Sequence, residues 1–148
     1  MKKILLTTFL FLAISSNSWS QQYKTAIGLK GGYPSLGGIN IKKILSSSTA
    51  AELSIGGYDG GLVISGLFEI QKPLPEPNGL YWYLGVGPTV GSVNKSLLLS
   101  ANGVLGIEYT FQDFPLNIAL DTGPVIQLIG NKNLFSWGGG LAVRYILK

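Results

Sequence analysis

The chain has no cysteine and no histidine among its 148 residues. The first absence excludes disulfides, a thiolate metal site and a lipid-anchored N-terminal cysteine. The second removes the usual general base of Ser-His-Asp and Cys-His sites and the commonest metal ligand. Charge is scarce as well: only 12% of the residues are Asp, Glu, Lys or Arg, about half the usual globular share. No apolar run after the start reaches the roughly 18 to 20 residues of a transmembrane helix. There is no Walker loop, and Gly85-Val86-Gly87-Pro88 lacks the strand-to-helix setting of a dinucleotide fingerprint. What the chain does have is apolar residues, at 46%, and 21 glycines. With no long run to hold it, that apolar excess must be spread over short segments of one domain.

The start reads Met1-Lys2-Lys3, then an apolar run over 4–14, then Ser15-Ser16-Asn17-Ser18-Trp19-Ser20. A basic start, a short apolar core and small residues at Ser18 and Ser20 make a secretory signal peptide over 1–20. The rest, 21–148, is expected to form the single domain. The whole chain carries 11 basic and 7 acidic residues, a formal net charge of +4. Losing Lys2 and Lys3 lowers that to about +2, too little and too dispersed for a nucleic-acid reader.

The clearest element is a hairpin over 106–128. In its first arm Ile107, Tyr109 and Phe111 alternate with Glu108 and Thr110; in its second Leu116, Ile118 and Leu120 alternate with Asn117, Ala119 and Asp121. Strict period-two alternation marks a strand with two unlike faces. The same pattern places strands near 24–31, 37–43, 49–57, 62–71, 80–90, 98–111, 116–127 and 135–147. Asp59-Gly60 supplies the positive φ of a tight hairpin. Three prolines in 73–77 mark a loop, and 91–97, with a chance glycosylation triplet at Asn94-Lys95-Ser96, reads as another. Pro88 and Pro124 each follow a glycine inside a strand, so a bulge or strand end is expected at both. The fold class is all-β, an antiparallel up-and-down eight-stranded transmembrane β-barrel.

Alternation does not by itself say which face is inside. A soluble lipocalin-like barrel buries its apolar face, and a membrane barrel does the reverse. The polar face here is mostly Gly, Ala and Ser, which suits a narrow eight-stranded interior better than a solvated surface. Its charges are Lys24, Lys30, Lys42 and Arg144 against Glu52, Glu69, Glu108 and Asp121. Buried charges must pair. The expectation is a structural ion-pair layer in the lumen, with Arg144 forked onto Glu108 or Glu69, and no open pore. Aromatics gather at strand ends: Tyr109, Phe111, Phe114, Tyr81, Trp82, Tyr83 and Tyr145 at one rim, Phe135 and Trp137 at the other. That is the pattern of two interfacial girdles. Glu108 and Asp121 could in principle serve glycoside hydrolysis, but both have cations on their own face and fit the ion layer. Gly138-Gly139-Gly140 fits a strand that makes room for bulky lumen partners.

These features together resemble the small outer-membrane β-barrel proteins of Gram-negative bacteria, the eight-stranded OmpA/OmpX-like architecture, and within it a group of short secreted barrels. The stretches that carry the likeness are Ser65-Gly66-Leu67-Phe68-Glu69-Ile70, Leu80-Tyr81-Trp82-Tyr83-Leu84-Gly85-Val86-Gly87, Gly106-Ile107-Glu108-Tyr109-Thr110-Phe111 with Phe114-Pro115-Leu116, and Gly140-Leu141-Ala142-Val143-Arg144-Tyr145. The resemblance implies an outer-membrane location, both termini on the periplasmic side, lipid as a partner and insertion by the barrel-assembly machinery. Such chains usually end on an aromatic residue, whereas this one ends Tyr145-Ile146-Leu147-Lys148. Barrel enzymes of that membrane rely on histidine, so the expectation is a non-enzymatic protein without cofactor, in a structural or surface-interaction role with no surface partner identified. The alternatives are a soluble periplasmic barrel holding an apolar ligand, and a lipid-modifying enzyme with an unusual site.

Overall fold

The computed structural model describes residues 23–34, 37–130 and 134–147. The signal peptide expected over 1–20 and parts of two expected turns, at 35–36 and 131–133, lie outside them. Eight strands follow one another: β1 (Thr25–Tyr33), β2 (Gly37–Ile44), β3 (Thr49–Tyr58), β4 (Gly61–Pro73), β5 (Leu80–Val93), β6 (Ser96–Thr110), β7 (Leu116–Ile129) and β8 (Phe135–Leu147). Each pairs antiparallel with the next, and β1 pairs with β8 to close the barrel. Closure leaves no unpaired sheet edge. The end where β1 starts and β8 stops is called the lower end here. The Asp59-Gly60 hairpin lies at the upper end.

The faces follow the alternation. Ala26, Asn40, Lys42, Glu69, Asn117, Ala142 and Arg144 point inward with no exposure. Leu29, Ile39, Leu62, Val86, Leu105, Leu120 and Leu141 point outward and are more than half exposed. The barrel is therefore polar inside and apolar outside. Val63 and Leu67, which break the alternation of β4, do face the lumen. With Leu98 and Val125 they give its upper half an apolar lining.

Three expectations change. The stretch 91–97 is not a loop: β5 runs to Val93, β6 starts at Ser96, and Asn94 and Lys95 alone turn the chain, with φ of 49° and 64°. Asparagine tolerates that region without glycine. Asn94 Nδ2 then donates to Asp59 Oδ2 at 2.8 Å, tying together the tips of two upper hairpins. Pro88 and Pro124 produce neither a bulge nor a strand end. The register is the same on both sides of each, and only the ladder rungs to Gly66-Leu67 and to Gly103-Val104 lapse. A missing N–H removes a hydrogen bond but need not move the strand. The register does shift at Leu99/Ser100, where Leu128 is the extra residue on β7.

The narrow bore demands glycine where neighbouring backbones crowd an inward position. At Gly28 a Cβ would stand 1.9 Å from the Val143 carbonyl oxygen, a backbone atom with nowhere to go. Gly28→Ala should destabilise the barrel by about 1–3 kcal/mol, the usual range for overpacking. A denaturant titration of the folded chain checks this, and an unchanged midpoint would contradict it.

Candidate functional site

One connected polar network crosses the lumen, and every strand supplies a member. Lys30 comes from β1, Lys42 from β2, Glu52 from β3, Glu69 from β4, Tyr83 from β5, Glu108 from β6, Asp121 from β7 and Arg144 from β8. Lys42 Nζ lies 2.6 Å from Glu69 Oε2 and 2.7 Å from Glu108 Oε2, and 4.5 Å from the centre of the Tyr83 ring. Arg144 bonds Glu52 through Nη2 and Asn40 through Nε. Its Nη1 donates to Asn117 Oδ1 at 2.8 Å and stands 3.7 Å from Glu108. Higher up, Lys30 Nζ donates to Glu52 Oε1 at 2.6 Å and Asp121 Oδ2 at 2.7 Å. Tyr83 Oη donates to the same Asp121 oxygen at 2.8 Å. A Cβ at Gly106 would stand 2.4 Å from the Tyr83 ring. That cross-strand glycine is what lets the phenol lie across the bore.

The arrangement departs from the sequence expectation at four points. The principal carboxylate partner of Arg144 is Glu52. Glu108 is a distant second, and Glu69 belongs to Lys42. Lys24 is exposed and stands outside the network. It precedes the first residue of β1, so the alternation does not extend to it, and Tyr23 turns in instead to donate to Glu108 at 3.3 Å. Tyr81 and Tyr83 are not rim residues. Both face the lumen, at 9% and 0% exposure. Their parity in β5, shared with Gly85 and Gly87, is the sign that points inward; aromatic character is a weaker guide than alternation.

The remaining aromatics are where the sequence places them. Trp82, Tyr109, Phe111, Phe114 and Tyr145 are half-buried or exposed near the lower end, Tyr109 and Phe111 in an edge-to-face pair at 4.8 Å. Phe135 and Trp137 are exposed toward the upper end. Asn40, Asn117 and Tyr23, none of them charged, complete the network; the first two could be found from their place on the polar face. Gln71, also buried, has neither end of its amide bonded among the described residues.

Above the network the lumen opens into a cavity of about 540 Å³, counting its open mouth. Lys30, Glu52 and Asp121 line it below, Leu67, Val104 and Val125 at the sides, and Tyr33 and Pro34 at the upper end. At Gly140 a Cβ would stand 2.8 Å from Lys30 Cε, so this glycine makes room for the lysine. Among the described residues no group of three acidic side chains is placed to hold a metal ion.

The bond from Tyr83 to Asp121 is open to test. Tyr83→Phe keeps the ring and its packing on Gly106 and removes one donor to a buried carboxylate. The expected cost is about 1.5–3 kcal/mol, read from the unfolding midpoint, and a loss within measurement error would count against a tight bond.

Comparison of the chain with family models, with curated proteins and with solved structures finds no match.

Proposed function

We propose that the chain is a small, non-enzymatic outer-membrane β-barrel protein of the OmpA/OmpX-like architecture, with a structural or surface-interaction role. The observation that carries this is the inverted polarity of the barrel. Seven charged side chains sit in the lumen, while the outward positions of the eight strands, apart from two lysines, are Leu, Ile, Val, Ala, Gly, Pro and aromatics, with a few Ser and Thr. The outward charges, Lys43 and Lys72, lie near the lower end. Water would favour the opposite arrangement; hydrocarbon favours this one. Outward polar groups are also satisfied within the barrel wall. Trp137 Nε1 donates to Thr122 Oγ1 at 2.7 Å, and Thr122 Oγ1 donates to the Gly138 carbonyl at 2.9 Å.

Strands of 8 to 15 residues bracket the roughly 9–11 that a tilted strand needs to cross a bilayer. The outward aromatics near the two ends would then form the interfacial girdles, and lipid would be the main partner, reached through the barrel-assembly machinery after loss of the 1–20 leader. The non-enzymatic reading rests on how the carboxylates are used. Glu108 is held by Lys42 and Tyr23, and Asp121 by Lys30 and Tyr83. That leaves neither as an acid or base poised beside a nucleophile.

Membrane fractionation of the expressed chain, with boiled and unboiled gel samples, tests the reading. A carbonate-resistant pellet and a heat-shifted band are expected. A soluble fraction without a shift would instead favour a periplasmic barrel.

A further inference from the structure

We infer that the upper cavity is a binding site for a small organic monocation with an apolar body, such as an aryl or alkyl ammonium. Three features of the lumen argue for that chemistry. The first is charge. Two carboxylates, Glu52 and Asp121, and one cation, Lys30, line the cavity floor. A low-dielectric bore makes that excess felt more strongly than it would be in water.

The second is an available acceptor at the cavity floor. Glu52 spends one oxygen on Lys30 and the other on Arg144. Asp121 receives both of its donors, Lys30 and Tyr83, on Oδ2. Its Oδ1 accepts no hydrogen bond among the described residues. Yet the side chain is only 3% exposed, and that oxygen lies 3.4 Å from where a Gly140 Cβ would stand, on the cavity wall. A nearly buried carboxylate oxygen left without a donor and facing open space is suited to an ammonium N–H.

The third is shape. Glycines of β8 keep the wall clear, and Leu67, Val104 and Val125 supply apolar contact. Tyr33 stands at the mouth in an edge-to-face pair with Tyr58 at 5.5 Å, and a tyrosine ring face attracts cations. A carboxylate or phosphate ligand would meet the excess negative charge at the floor. A neutral apolar one would leave Asp121 Oδ1 unpaired. The inference rests on the lumen alone and holds whether the outer face meets lipid or another partner.

The test is a titration of the folded, micelle-embedded chain with benzylammonium, benzyl alcohol and benzoate at neutral pH, followed by amide NMR shifts. Benzylammonium is expected to saturate, with the largest shifts at Lys30, Asp121 and Gly138–Gly140, and benzoate to bind at least tenfold more weakly. Asp121→Asn should weaken benzylammonium at least tenfold. Val104→Phe, which fills the cavity and leaves every charge in place, should abolish the saturable shift. If Asp121→Asn does not fold, Val104→Phe decides alone. Equal binding of the three probes, no saturation, or saturation unchanged in Val104→Phe overturns the inference.

Discussion

Arg144→Ala is expected to destabilise the barrel by about 3 kcal/mol or more, the cost of removing one partner from a buried ion pair. The guanidinium has no exposure and holds Glu52, Asn40 and Asn117 at once, on β3, β2 and β7. Alanine strands the Glu52 oxygen it held and unbinds two buried amides, while Lys30 is already shared with Asp121. The loss is therefore one of coordination across the bore as well as of charge. Arg144→Lys should recover only part of it, because an ammonium cannot reproduce the planar fork. Lys24→Ala is the control. Lys24 is exposed and outside the network, so its removal should change stability by no more than about 0.5 kcal/mol. Denaturant unfolding of the three variants checks the series, and an Arg144→Ala loss as small as that of Lys24→Ala would contradict a network that holds the lumen together.

The second large effect is expected on the opposite face. Leu120 lies near the middle of β7, points outward and is 55% exposed. In water, Leu→Arg at so open a position is worth about 0.5 kcal/mol either way. In a bilayer an arginine near the midplane of a barrel wall costs about 2–4 kcal/mol. Leu120→Arg should therefore be strongly destabilising when the chain is unfolded from lipid vesicles. Lys43, already charged and outward near the lower end, should accept arginine freely. Equal tolerance at 43 and 120 would mean that the outer face does not meet hydrocarbon.

The fold was legible because a barrel strand states its faces in every second residue. All eight strands, the Asp59-Gly60 turn and the closed antiparallel order follow from alternation and glycine-proline punctuation. Alternation says which way a side chain points but not how far it reaches. Arg144 lies on β8, beside β7 and β1, yet bonds Glu52 on β3. That contact depends on strand tilt and the width of the bore, which no single strand records. Tyr83 shows the converse: its parity was informative, and its aromatic character suggested a rim it does not occupy. Lys24 shows where parity stops, one residue before β1 begins. The cavity could not be read at all, because it is the space left by glycines on different strands together with the reach of Lys30.

The absence of cysteine allows the central claim, that the apolar face meets lipid, to be measured without background. Single cysteines at Ile118, Leu120 and Ile126 on the outer face of β7, and at Ala119 on its inner face, can each carry a spin label in vesicle-reconstituted chain. The account predicts that labels at the three outward positions collide with dissolved oxygen and are shielded from a water-soluble nickel chelate, while the label at 119 is shielded from both. Ready access of the nickel chelate to 118, 120 and 126 would contradict it and place the apolar face against something other than a bilayer.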